Sequence, residues 1–163
     1  MIQLEINKIL ETLHSKDWSD KYEIHDETWK KNIWFKIGYI EDFQFVKDII
    51  NSDLQKVNEN YVVSDWITFL IYNKGDFFGK HKDDDIRYGN RNSKILFTGG
   101  YLLNNDYTGG DFIIDNQKLN VSVGELFWFG RDKEHEVTLV ESGVRYSLHF
   151  AIETKIKNKM TLI

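Results

Sequence analysis

Cysteine is absent from all 163 residues, which excludes disulfides, thiolate metal sites and cysteine nucleophiles together. The same absence suits a cytoplasmic setting, and that is the expected localisation. Proline is missing too, so glycine, asparagine and aspartate must make the turns. No apolar run approaches the roughly 18 residues of a membrane span. The opening "MIQLEINKIL" has no basic segment leading into an apolar one, so neither a membrane partner nor a secretory leader is expected. Positive charge is in deficit: 21 Lys and Arg against 26 Asp and Glu leave a net charge of −5. A surface that tracks phosphates needs the opposite balance, so nucleic acid is not an expected partner. The lysines of "TKIKNKM" (Lys155, Lys157, Lys159) read as a solvated tail.

What is present argues for a packed protein: 41% of the residues are hydrophobic and 15% aromatic. The length suits one domain, 1–163, with a helical N-terminal part at about 1–60 and a β core at about 61–153. Ile2, Ile6, Ile9, Leu10 and Leu13 fall on one helical stripe, as do Phe43, Val46, Ile50, Leu54 and Val57. Asp42 is placed to cap the second helix. Between the helices, "NIWFKIGYI" reads as a strand. After residue 60 come "DWITFLIY", "SKILFTGGYLLN", "GGDFIID", "QKLNVSVGELFWF", "HEVTLV" and "VRYSLHFAIE". These runs are β-branched and aromatic, and they are punctuated by turn residues. The expected class is α+β, mainly β: an antiparallel sandwich or barrel braced by the N-terminal helices.

Within this pattern, "YNKGDFFGKHKDDD" carries the first chemical signal. On an extended segment, His81 and Asp83 point to the same side and can converge on one ion. A third ligand must come from His14, His25, His135 or His149. His14 and His25 lie in polar or amphipathic surroundings that suit surface positions. His135 opens "HEVTLV", at the mouth of a sheet, and completes a set of two histidines and a carboxylate. Such a set suits Fe(II) or Mn(II) and leaves coordination positions open, as non-haem iron oxygenases require.

An anionic co-substrate would then need an anchor. Arg145 stands ten residues beyond His135 in "GVRYSLHF". Alternation sets Arg145, Ser147 and His149 on one face of that strand and Tyr146, Leu148 and Phe150 on the other. An arginine facing a barrel interior is costly unless paired, and a bound carboxylate would pair it. An outward surface arginine is the blander reading; the neighbouring metal set favours the inward one. For His149, contact with a ligand and a hydrogen-bonded core role both stand. Trp128 suits the core or a substrate platform. "DDDIRYGNRNSK" (83–94), which includes Asp84 and Asp85, reads as a lid or substrate loop.

Taken in order, "YNKGDFFGKHKD", "YLLNNDYTGGDF", "GELFWF", "HEV" and "GVRYSLHFAI" resemble the Fe(II)/2-oxoglutarate-dependent dioxygenases, in particular their prolyl 4-hydroxylase-like branch. The resemblance covers about residues 62–152 and implies a double-stranded β-helix, or jelly roll. It implies iron held by His81, Asp83 and His135, with Arg145 gripping the distal carboxylate of 2-oxoglutarate. These four residues would be the catalytic set, and Tyr72 would line the co-substrate pocket. Where the family often has a tyrosine, this sequence has Leu102, with Tyr101 on the opposite face; Thr98, Ser147 or His149 would substitute. Dioxygen is the implied oxidant, with ascorbate an optional reductant. The implied activity is hydroxylation coupled to conversion of 2-oxoglutarate into succinate. A peptidyl proline or related residue of a protein is the first substrate class. A free amino acid or other small molecule stays open, as does a jelly-roll module that binds metal without catalysis.

Overall fold

The computed structural model describes residues 1–83 and 95–155. Two helices, α1 (Gln3–His14) and α2 (Gln44–Val57), enclose a hairpin of β1 (Tyr22–Asp26) and β2 (Lys30–Lys36). Next come β3 (Tyr61–Tyr72), β4 (Phe77–His81), β5 (Ile95–Leu102), β6 (Thr108–Gly109) and β7 (Phe112–Ile114). The chain continues through β8 (Gln117–Lys118), β9 (Phe127–Gly130), β10 (His135–Val137), β11 (Val140–Ser142) and β12 (Arg145–Thr154). The main sheet runs β8-β7-β10-β4-β2-β3-β12-β5-β9, with β1 paired to β2, while β11 and β6 form a separate pair. It is a double-stranded β-helix, mainly β and braced by helices. Among the described residues, no helix is long and apolar enough to cross a membrane.

The long pairing of β3 with β12 divides the molecule into two interiors. On one side, Phe69, Leu148 and Phe150 pack against Ile6, Ile9 and Leu13 of α1 and Val46, Ile50 and Leu54 of α2. These helical residues are the predicted stripes, trimmed at their ends: Ile2 is 62% and Val57 45% exposed. On the other side, Trp34, Leu70, Tyr72, Phe78, Phe112, Phe127 and Phe129 fill the barrel. The period-2 alternation of β12 therefore feeds one hydrophobic layer with its even residues and the barrel interior with its odd ones.

Several expectations need correction. The strand read at "NIWFKIGYI" runs instead over Lys30–Lys36, enters the main sheet between β3 and β4, and pairs with β1, which the helical reading of the first sixty residues lacked. Its start was hidden by lysines: Lys31 and Lys36 are exposed, while Lys30 is buried at 5% with Nζ over the rings of Trp29, Trp34 and Phe78. Asp42 does not cap α2, which is entered through a 3-10 turn at Glu41–Phe43; it pairs with Lys16 instead. "QKLNVSVGELFWF" is not one strand, since Gly124 adopts φ +79° in a turn between β8 and β9. "HEVTLV" divides between β10 and β11. Of the loop expected at 83–94, all but Asp83 lies outside the described residues.

Phe150 is fully buried and packs on Tyr101 with ring centroids 5.8 Å apart. Phe150→Ala is expected to lower unfolding free energy by about 3–5 kcal/mol in denaturant titration. A loss under about 1 kcal/mol would show that this layer is not central to stability.

Candidate functional site

The site begins with a cross-strand pair. His81, the last residue of β4, lies directly opposite His135, the first residue of β10, with ring centroids 4.2 Å apart. Asp83 follows just beyond β4, held by its backbone N–H to the Arg131 carbonyl at 3.2 Å. Its Oδ1 is 3.6 Å from His81 Nε2 and 3.5 Å from His135 Nε2. The three donor atoms all lie within 4.8 Å of one another, close enough for one ion between them.

The imidazoles are pre-oriented. His81 Nδ1 is 2.8 Å from the Gly79 carbonyl and His135 Nδ1 is 3.0 Å from the Lys133 carbonyl. With both Nδ1–H groups donating, each Nε2 lone pair faces the shared centre. Phe78 stacks on His81 at 3.9 Å and 13°, and Phe129 packs on His135 at 4.7 Å. Burial pushes the Asp83 carboxyl up, but the His135 contact, the Thr98 hydroxyl and the His81 charge reverse this and hold it down to about 2. The donor set is therefore two imidazole nitrogens and an ionised carboxylate, which fits Fe(II).

Arg145 is 3% exposed, and it faces Tyr72 across the β3–β12 ladder. Its Nη1 donates to Ser147 Oγ at 2.9 Å, and the guanidinium sits 5.3 Å from the centroid of the Tyr72 ring. Among the described residues, no carboxylate lies within ion-pairing distance, and Nε has no hydrogen-bond partner. Gly110 gives the side chain room: at φ +61°, a Cβ there would stand 3.0 Å from Arg145 Cδ. The "GGDF" turn is thus a backbone clearance for the arginine.

A cavity extends from the three donors along the barrel wall, lined by Trp34, Thr68, Leu70, Tyr72, Thr98 and His149. Arg145 stands beside it, behind Tyr72, and also borders a neighbouring cleft with Leu102, Gly110 and Phe112. Among the described residues, Thr68 Oγ1, Tyr72 Oη and His149 Nε2 are buried on the cavity lining without partners, as are Arg145 Nε and both ends of the Asn32 amide next to Tyr72. Such groups are ordinarily satisfied, so a cluster of them fits a polar occupant. Burial pushes the Tyr72 phenol up to about 12 against the opposing influence of Arg145 and Asn32, leaving it a neutral donor. One buried cation with neutral donors nearby suits a carboxylate group.

The structure brings His81, Asp83 and His135 together and sets Arg145, Ser147 and Tyr72 beside the same cavity. Thr98 lies elsewhere than expected: its hydroxyl donates to Asp83 Oδ2 at 2.8 Å, steadying the carboxylate instead of meeting the Arg145 end. Leu102 offers no polar group, and Tyr101 donates to Asp53 Oδ2 at 2.7 Å on the helix side. His14 is exposed, and His25 packs on Trp34 with centroids 4.8 Å apart; neither joins the set. Trp128 is 43% exposed and so is not a core residue. Asn32 and Thr68 went unread in the sequence. Thr68 shares its face of β3 with Leu70 and Tyr72, a signal that alternation could have supplied.

Comparison with solved structures identifies the fold. The chain superposes on a 2-oxoglutarate/Fe(II) oxygenase-family oxidoreductase from Burkholderia pseudomallei with a TM-score of 0.71 at 14% identity, covering 92% of this chain and 79% of that one. A prolyl 4-hydroxylase from Pseudomonas putida gives a TM-score of 0.67 at 18% identity, covering 95% and 89%. The fold is that of the 2-oxoglutarate/Fe(II) oxygenases. Within it, this chain belongs to the poxvirus C4/C10 protein family, whose model matches residues 4–163. An uncharacterised fowlpox virus protein is 30% identical over 100 residues, 58% of this chain and 22% of that protein. A PKHD-type hydroxylase from Idiomarina loihiensis is 25% identical over 95 residues, 56% of this chain and 43% of that protein. The chain thus matches less than half the length of these two relatives.

Thr98→Val removes one hydroxyl and keeps the shape. Divalent-metal affinity is expected to fall about 10–100-fold in a Mn(II) titration, with recovery in Thr98→Ser. Equal affinity in all three proteins would remove Thr98 from the metal centre.

Proposed function

We propose that the protein is an Fe(II)- and 2-oxoglutarate-dependent oxygenase that hydroxylates a peptidyl proline or a related residue. One observation carries this reading: a preformed two-histidine, one-carboxylate set opens on a cavity, and beside that cavity stands a buried arginine with no carboxylate partner among the described residues. Fe(II) bound there, with 2-oxoglutarate and dioxygen, supplies oxidation of an unactivated C–H bond; one oxygen atom goes to the product, and the other to succinate as carbon dioxide leaves.

The remaining work falls to the chain. His81, Asp83 and His135 would hold the metal through two imidazole nitrogens and a carboxylate. Arg145, with Ser147 and Tyr72 beside it, orients the dicarboxylate by charge and hydrogen bonds. Phe78, Phe112 and Phe129 exclude water around the imidazoles. The proline assignment draws on the named neighbours and on an aromatic rim. Trp29, 39% exposed, sits 6.3 Å from the His81 ring, and Trp66 lines the cavity. Flat aromatic faces suit a compact apolar ring presented by a peptide.

Anaerobic addition of Fe(II) and 2-oxoglutarate should give a visible charge-transfer band, and admission of oxygen with a proline-peptide panel should give succinate and a one-oxygen mass gain. His81→Ala should abolish the band, and Arg145→Ala should weaken 2-oxoglutarate binding about 100-fold. Turnover with free amino acids alone would move the substrate to the small-molecule class. Metal binding with no 2-oxoglutarate affinity would leave a non-catalytic metal-binding module.

A further inference from the structure

His149 has no part in the metal set, yet it occupies the cavity wall. It is the third inward residue of β12 after Arg145 and Ser147, and its direct partner on β3 is Thr68. Neither ring nitrogen makes a hydrogen bond among the described residues; Nε2 is fully buried, while the residue as a whole is partly buried. The Thr68 hydroxyl is likewise buried without a partner. A histidine kept only for core packing would have its nitrogens bonded to neighbouring groups.

The surroundings fix the ring without satisfying it. Phe112 meets it edge-on at 5.6 Å and 85°, and Phe127 at 5.8 Å and 77°. Phe112 also packs on His135 at 5.7 Å, so one phenyl ring ties His149 to the metal end of the cavity. Burial, then the charges of Arg145, His135 and His81 against that of Asp83, holds the imidazole down to about 3. A neutral imidazole offers one donor and one acceptor.

Direction along the strand indicates what that donor meets. Arg145 folds back onto Ser147, which places the charged anchor at that level of β12. His149 lies one inward step further, roughly 6.8 Å along the strand, and Phe112 joins it to the triad. We infer that His149, with Thr68 opposite, forms a donor pair for the oxo-acid end of 2-oxoglutarate, the end nearer the metal. This inference rests on the oxygenase reading. It supplies an explanation for Leu102: a chain lacking a tyrosine partner for the distal carboxylate draws added grip from the other end of the same ligand.

The test is calorimetric titration of 2-oxoglutarate into the Mn(II)-loaded chain, comparing wild type, Arg145→Ala, Thr68→Val, His149→Leu and His149→Gln. His149→Leu should weaken binding about 10–50-fold, Thr68→Val less, and His149→Gln should recover part of the loss by restoring a donor. Mn(II) affinity should stay within twofold throughout. The ligand-free His149→Leu protein should melt no lower than wild type, because an unpaired buried polar group has been removed. Wild-type protein that binds Mn(II) but not 2-oxoglutarate would overturn both readings. Tight wild-type binding, lost in Arg145→Ala but unchanged within twofold in His149→Leu, would overturn this inference alone. A lower melting point with unchanged affinity would give His149 a structural role and likewise overturn it. Should the variants fail to fold, ¹⁵N-histidine NMR of the Zn(II)-loaded wild type decides. A shift of the His149 imidazole signal on adding 2-oxoglutarate supports the contact, and an unmoved signal removes it.

Discussion

The antiparallel pairing of β4 with β10 sets His81 against His135, and the candidate chemistry depends on that register. Side chains alternate along strands, so a slip of one residue would turn one imidazole away from the other. Several local features oppose such a slip. The register carries an irregularity between His135 and Val137. Both Nδ1 atoms are tied to carbonyls within two residues, and Phe78 and Phe129 flank the rings. A preformed donor set needs little reorganisation to accept an ion, which is how a short segment such as His81–Asp83 can serve as half of a metal site.

Much of the site was legible in the sequence because it lies on strands with plain alternation. His81 and Asp83 are two apart, and Arg145, Ser147 and His149 follow at twos, so spacing alone placed each group on a common side. What escaped depended on partners distant in sequence. Nothing near Thr98 reveals that its hydroxyl reaches Asp83, fifteen residues earlier. Asn32 belongs to a strand whose lysines mask its burial, and only its insertion between β3 and β4 turns it inward. The helical stripes were readable for a different reason: their burial against one continuous sheet face preserves the 3.6-residue period. Strand boundaries failed where a glycine turn or a change of partner divided an apolar run, at Gly124 and between Val137 and Val140.

The barrel interior carries an unusual load. Among the described residues, an arginine without a carboxylate partner, a neutral histidine, a phenol, a hydroxyl and an amide all face inward with unsatisfied atoms. Leaving such groups unpaired costs about 1–3 kcal/mol each, more for the charged one. The net stability of a domain is commonly about 5–15 kcal/mol, so the barrel interior is poorly suited to hold the fold together unaided.

The helix side resolves this tension. Phe69, Leu148 and Phe150 lie on the same strands as Thr68, Ser147 and His149, but on the opposite face, where α1 and α2 bury them against an apolar layer. Each central strand therefore does two jobs, with odd and even positions of β12 assigned to different ones. Cohesion comes from the even positions and the helices. With that layer supplying apolar burial, the odd positions can remain polar, and several stay unsatisfied among the described residues. The N-terminal helices thus act on the chemistry without touching it: by packing the outer face, they make an underpaired inner face tolerable.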